Sequence, residues 1–342
     1  MREAMFIKKN VDKWNKYQQE KPVSPDETAE RFVTLVDDLS YAKTFYPHSQ
    51  VTHWINGIAA GIYQRIYRNK KEKYSRIFVF WKYELPLLFR KYHKVLLFTF
   101  LLTLLFVLLG VVGSMLNEDF MRAALSSDYV DMTNDNIAKG DPFGVYKNDN
   151  PFTMFVWIAI NNISVAFMMV VGGFTLGFLT INYMWKNGLM LGAFQYIFFQ
   201  HDLGVKSILV IWIHGTLEIS SFIIASAAGL IISYGILFPG TFSRTHSFKQ
   251  GVKDALKILV TLIPLFIIAA FFESYITHLM SNTYDKAGDA GLPVWVSALI
   301  LFFSLLFIIW YFIIYPVRLH KKGYSIKPGG IIKIPDPVNA TV

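Results

Sequence analysis

The chain has 342 residues, 54% of them hydrophobic and 17% charged, with a mean hydropathy of +0.38 and a net charge of +9. Soluble domains carry about 25% charged residues, so this composition excludes an ordinary soluble protein and points to a polytopic membrane protein. The absence of cysteine excludes disulfides, thiolate chemistry and cysteine zinc sites. The basic excess lies beside apolar runs, where it reports topology and contact with membrane lipid rather than with nucleic acid.

The first ten residues lack the apolar core of a signal peptide, so the apolar run near residue 95 is expected to act as an uncleaved insertion signal. Residues 1–75 read as a cytoplasmic helical region. A first helix over 2–20 carries Phe6, Trp14 and Tyr17. A second opens on Ser24, with Pro25 at N1 and Glu27 at N3, the spacing of a capping box, and stops before Pro47. A third, over 50–68, carries Trp54, Ile55, Ile58, Ile62 and Ile66. The bundle is small and is expected to lean on the membrane or on the rest of the chain. Residues 76–94 mix large apolar residues with Arg and Lys around Pro86, and read as an interfacial amphipathic helix or as the cytoplasmic end of the first span.

A transmembrane domain over 95–318 follows, with six spans near 95–116, 153–181, 188–199, 207–238, 258–280 and 294–315, and a tail over 319–342. Residues 60–94 hold ten Lys/Arg against two acidic residues, whereas 116–152 holds three basic and seven acidic residues. The first segment belongs in the cytoplasm and the second outside, as an extracytoplasmic acidic loop. Lys and Arg at 244–257 and 318–333 place those segments inside, so both termini are expected in the cytoplasm. Parity then requires the short third run to cross, despite Gln195. The alternative is a fourth run that forms a hairpin by itself, bent near Gly215 or Gly229, beside a re-entrant third run. The tail from Lys327 reads as extended, and mobile beyond Pro335.

Polar residues at bilayer depth are costly and mark the candidate sites. Asn161 and Asn162 lie in the second span, and Asn187 opens the third. His214 and Glu218 lie i, i+4 on the fourth, which puts both on one helix face, with Gly215 between them, and Glu273 lies near the outer end of the fifth. A polar clamp between helices is one reading. A proton or ion path is another. A metal site needs a third ligand, and His201 or His278 would have to be recruited without a motif, so no metal and no cofactor are expected. Ser220 and Ser221 adjoin Glu218, but no nucleophile motif or nucleotide-binding fingerprint is present, so no catalytic residue is assigned. Gly172, Gly173 and Gly177 on the second span, and Gly188 and Gly192 on the third, read as helix-packing positions, and their small-residue faces suggest a homo-oligomer.

The stretch HGTLEISSFIIASAAGL at 214–230 resembles the signature helix of the stage II sporulation protein M family. The segments NNISVAFMMVVGGFTLGFLT, NGLMLG, LFIIAAFFESYIT and FWKYELPLLFRKY resemble it too, and the likeness covers about residues 1–320. His214, Gly215 and Glu218 match the family's HGxxE, Asn187 and Gly188 its NG, and Glu273 its acidic residue on the fifth span. The resemblance implies an all-α polytopic protein of the cytoplasmic (inner) membrane. It further implies a non-enzymatic scaffold or anchor for a cell-envelope complex, with peptidoglycan-remodelling proteins as partners in the best-known members. A channel or transporter with a polar path through Asn161, His214, Glu218 and Glu273 is the alternative.

Overall fold

A computed structural model describes residues 2–20, 22–67, 75–144, 150–283, 291–327 and 330–333. The chain divides into two compact units, Met1–Arg76 and Ile77–Val342. The stretch beyond Pro335 lies outside the described residues.

The first unit is three helices: α1 (Glu3–Gln19), α2 (Pro25–Phe45) and α3 (Gln50–Tyr67). The apolar positions converge on a core of Phe6, Trp14, Leu35, Ala42, Ile55 and Ile62. Trp14 is fully enclosed, and its indole N–H donates to Asp38 at 2.8 Å. The capping box forms in a shifted version. Ser24 Oγ accepts from the Glu27 N–H at 3.1 Å, while Glu27 reaches back to the Val23 N–H at 2.7 Å. That backbone donor, with Arg31 beside it, holds the Glu27 carboxyl below its ordinary range.

The second unit begins with α4 (Ser75–Val79), a π-helical segment (Phe80–Glu84) and α5 (Leu85–Lys91). Proline cannot donate to the carbonyl four residues before it, so Pro86 leaves the Lys82 carbonyl without a helical partner. Instead of breaking, the helix widens, and Tyr315 Oη donates to Lys82 O at 2.9 Å. Tyr311 Oη donates to Trp81 O at 2.7 Å. Leu85, Leu87, Leu88 and Phe89 are buried in protein, so this part of the 76–94 stretch rests on neighbouring helices.

Then come α6 (His93–Leu116), α7 (Glu118–Leu125), α8 (Ser127–Lys139) and α9 (Pro151–Val171). The acidic 116–152 segment is thus largely helical. The sequence reading ran the second span to 181, but the helix stops at Val171. A 3-10 turn at Gly172–Thr175 follows, with Leu176 and Gly177 in the left-handed region at φ 55° and 89°. Positive φ favours glycine, so Gly177 is a turn residue as well as a packing one, a Cβ there meeting Leu230 at 2.9 Å and Ser233 at 3.2 Å. The third run is correspondingly longer than read: α10 is a 23-residue helix, Phe178–Gln200.

The fourth run is one unbroken helix, α11 (Gly204–Leu237, 34 residues), about 51 Å long, which excludes the hairpin alternative. α12 (Arg244–Phe271) passes into a π-helical segment (Phe272–Thr277) and α13 (His278–Asn282). α14 (Val294–Ile308), a π-helical segment (Ile309–Ile314) and α15 (Tyr315–Lys321) form the last long helix, its widened part again preceding a proline, Pro316. The tail opens with an antiparallel hairpin, β1 (Tyr324–Lys327) and β2 (Gly330–Lys333).

Five of these helices are long and apolar enough to cross a membrane: His93–Leu116, Pro151–Thr175, Gly204–Leu237, Arg244–Thr277 and Val294–Lys321. α10 is less apolar, and one side of it stays open, with Phe178, Trp185, Met190 and Phe199 exposed. Its N-terminal Thr180 bonds Met169 O at 2.8 Å beside Gly229 of α11. Its C-terminal half meets the acidic segment, where Phe198 stacks on Phe143 at 5.3 Å and His201 meets Asn134 at 3.2 Å. Gln195 is accounted for by a clamp to α11, donating to Ser207 Oγ at 2.6 Å and accepting from Trp212 at 3.0 Å.

Asp254 ties α12 to α5. It is 2% exposed and accepts from Lys91 Nζ at 2.7 Å, Tyr92 Oη at 2.8 Å and Gln250 at 2.8 Å. Glu84 pairs with Lys257 on the same face. Replacing Asp254 by Ala leaves the Tyr92 hydroxyl and the half-buried ammonium without their acceptor. It is expected to cost about 2 kcal/mol and lower the unfolding midpoint of the detergent-solubilised protein, with Asp254→Asn losing less.

Candidate functional site

The i, i+4 spacing places His214 and Glu218 on one face of α11, and that face meets the π-helical end of α12. His214 is 5% exposed. Its Nδ1 lies 3.0 Å from Thr277 Oγ1, and the Thr277 hydroxyl donates to Phe272 O at 3.1 Å. Thr277 thereby holds the imidazole by its Nδ1 edge. Nε2 faces Glu273 Oε2 at 3.9 Å. One ligand-type atom from each of His214, Glu218 and Glu273 lies within 4.8 Å of the others.

These groups sit at the base of a cleft of about 290 Å³. Asn187, Met190, Leu191 and Phe194 of α10 form one wall, and residues 211–222 of α11 form another. Leu125 and Tyr129, from the acidic segment, close the side. Burial pushes the Tyr129 hydroxyl above its ordinary range, so it stays a neutral donor at the rim. Among the described residues lining the cleft there is no Lys or Arg. Below Phe222, α11 is packed solid, with Ala225, Ala227 and Ala228 fully buried, so the cleft ends within the protein.

Gly215 has a role distinct from that of the other glycines. No described atom lies within 4 Å of where its Cβ would stand, and it lines the cleft. It keeps space open rather than admitting a helix. Gly188 and Gly192 do admit one. A Cβ on Gly188 would meet Phe106 Cβ at 2.5 Å, and one on Gly192 would meet the Val107 carbonyl and Gly110 of α6. Gly173 packs on the Gly229 carbonyl, and Gly172 on the Thr180 backbone. The small-residue faces that suggested self-association are therefore filled within the chain.

The structure brings together His214, Gly215, Glu218, Glu273, Asn162 and Asn187. Asn162 is 5% exposed and lies beside Glu218, with its Nδ2 making no hydrogen bond of ordinary geometry. Asn161, placed on the path by the sequence reading, is exposed on α9 and donates to Asn162 Oδ1 at 3.4 Å. The adjacent asparagine is the one that faces inward. His201 bonds Asn134 and lies away from the cluster, and the His278 side chain is outside the described residues. Thr277, Tyr129 and Trp212 were not singled out from sequence. Thr277 carries a usable signal, lying four residues after Glu273 on the same helix.

Fold and site together define a polytopic α-helical membrane protein with a mainly apolar, one-ended cleft between its central helices that holds three ionisable groups. The sequence profile of the family described as Stage II sporulation protein M matches residues 96–278, and the chain belongs to that family. Residues 4–68 match a separate domain described as one of unknown function, DUF8413. A Methanocaldococcus jannaschii protein described as uncharacterized protein MJ0793 is 33% identical over 125 residues, covering 36% of this chain and 70% of that protein. No solved structure matches the chain.

The lack of native cysteine allows a direct test of the cleft. A single cysteine at Gly215 is expected to react with a small water-soluble thiol reagent, because thiolate formation needs water, whereas one at fully buried Ala225 is not. Failure of both to react would show that the cleft is dry.

Proposed function

We propose that this protein is a multi-pass component of a cell-envelope assembly in the cytoplasmic membrane. It anchors partner proteins and does its own work by holding a polar ligand in the His214–Glu218–Glu273 cleft. The observation that carries the reading is the cleft itself. Groups that are expensive at bilayer depth are gathered from two long helices and left open on one side, where a clamp serving only packing would be sealed. The blind end at Phe222 favours a binding site over an open channel. The separate N-terminal unit, with its own core and its own domain match, supports a docking role for residues 4–68.

Six crossings with both termini in the cytoplasm fit the charge pattern and the path of α10. That helix starts at the Gly172–Gly177 turn and ends against the acidic segment from which α9 sets out. Lys186, nine residues beyond Gly177, is about 13 Å along the axis and within snorkelling reach of the cytoplasmic face. The exposed apolar faces of α6 and α14 are the surfaces for membrane lipid. In intact cells an impermeant thiol reagent is expected to label cysteines at Asp135 and His201 but not at Lys249. Protection of His201→Cys alone would place α10 on one side of the membrane.

Function is tested by complementing a deletion strain. Glu218→Gln and Gly215→Leu, the second filling the cleft, are expected to reach normal membrane levels and fail to restore the wild-type phenotype. An exposed-face control, Leu101→Ala, is expected to restore it. Full complementation by both cleft variants would reduce the protein to an anchor.

A further inference from the structure

We propose that α7 and α8 form a re-entrant helical hairpin that reaches the middle of the bilayer, and that its tip, residues 123–129, is a movable gate on the cleft. The inference rests on reading the cleft as the working site, and it adds how a ligand enters.

Depth follows from helix register. α6 and α10 run side by side, with Gly188 against Phe106 and Gly192 against Val107 and Gly110. α7 starts just after α6 ends and folds back along it, since a Cβ on Gly113 would meet the Phe120 ring at 2.5 Å. Ala123 and Ala124 then line a cavity with Trp185, Asn187 and Leu189 of α10, the level of Phe106. Phe106 lies ten residues before Leu116, about 15 Å from the end of α6, which is half of an apolar core about 30 Å thick. α8 climbs back beside the second half of α10, with Tyr129 beside Phe194 at 6.0 Å and Asn134 beside His201.

Charge decides what lies next to the hairpin. Asp128 and Asp131 are exposed on it, and Arg122 ties its two arms, donating to Glu118 at 3.0 Å and to Asp131 at 2.8 Å. Carboxylates at this depth face water rather than lipid. The hairpin is therefore one bank of a hydrated recess, running from the membrane face where α6 ends down to the cleft.

Packing decides what moves. The arms are anchored, because Met121, Val130 and Phe143 are buried in one core with Ala193, Ile197 and Phe198 of α10. The tip has space on both sides. The cavity at Ala123 and Ala124, of about 370 Å³, lies on one side, and the cleft walled by Leu125 and Tyr129 lies on the other. Asn187 and Met190 line both spaces, so the tip is a wedge between two halves of one groove. Ser126 at the turn holds φ 77°, which L residues rarely adopt, and its Oγ accepts from the Tyr129 N–H at 3.3 Å. A shift of the tip into the first cavity draws Leu125 and Tyr129 away from the cleft and joins the two spaces. Its return closes them.

The test uses the purified full chain in lipid nanodiscs. Depth is read from a bimane fluorophore on Ser127→Cys or on Lys139→Cys, two exposed positions at the tip and at the far end of α8. At Ser127 a nitroxide near the end of the lipid acyl chain is expected to quench more than one at the headgroup, and at Lys139 the reverse. Headgroup quenching at Ser127 would place the hairpin on the membrane surface and overturn the proposal, whatever the fate of the other variants. Gating is read from the rate at which a small cationic methanethiosulfonate modifies Gly215→Cys. Adding Tyr129→Ala is expected to raise that rate about tenfold, by removing the wall, and adding Ala124→Leu to lower it about tenfold, by filling the space the tip needs. Leu101→Ala, on the exposed face of α6, should leave it unchanged. Equal rates in all four proteins would refute the gate and leave the cleft standing as an always-open working site. No modification in any of them would also refute the gate, and complementation by the cleft variants then decides the working-site reading separately.

Discussion

The constraint on which the membrane unit depends is that α11 must be enclosed. It carries His214, Glu218 and six serine and threonine side chains between Ser207 and Ser233, a load that lipid would not accept. The surrounding helices remove that cost. In the most apolar window of α11, 67% of the residues are buried, against 17% for α6. Hydroxyls along the helix return to their own backbone, Ser221 to Leu217 O and Ser226 to Phe222 O, both within 2.8 Å, so they present no unpaired donors to the neighbours. Enclosure in turn requires close approach, and the glycines supply it: Gly229 on the Met169 carbonyl, Gly235 on Ser247, Gly251 on Ile231. Hydrophobic driving force between helices is weak in lipid, so this van der Waals fit and the few interhelical bonds are what fix the bundle.

Much of this was legible. The three helices of the first unit follow from apolar spacing and from the Ser24–Pro25–Glu27 signal, which depends only on neighbours in sequence. The long apolar runs of α6, α11, α12 and α14 were equally plain. The turn at Gly172–Gly177 was not, because it is as apolar as the helices it joins. A polar or charged break is what separates spans in a sequence, and here the break is made by backbone conformation alone, at Leu176 and Gly177. Running the second span through that turn to 181 shortened α10 by ten residues at its start. The same limit applies to the glycines of the site. Gly188 and Gly215 look alike in sequence, yet one abuts Phe106 and the other faces open space, a difference set by partners distant along the chain.

The candidate cluster was half legible for a related reason. His214 and Glu218 lie on one helix, and their spacing settles that they share a face. Glu273 stood out by its charge, but that it meets His214 depends on how α12 packs against α11. The choice between Asn161 and Asn162 depends on a helix rotation of about 100°, which an apolar helix without a polar face does not announce.

The π-helical end of α12 links packing to chemistry. In a regular helix the Thr277 hydroxyl would turn back to the carbonyl three or four residues before it. In the widened turn it reaches Phe272 O, five residues back, while its oxygen lies 3.0 Å from His214 Nδ1. The local winding of α12 therefore determines which nitrogen of a histidine on α11 faces the cleft. The same segment carries Glu273, so one distortion both delivers the carboxylate and orients the imidazole it faces. The widened segments before Pro86 and Pro316 have a steric cause in their prolines. Residues 272–277 contain no proline, and the wide turn there coincides with the contacts of Glu273 and Thr277 to His214.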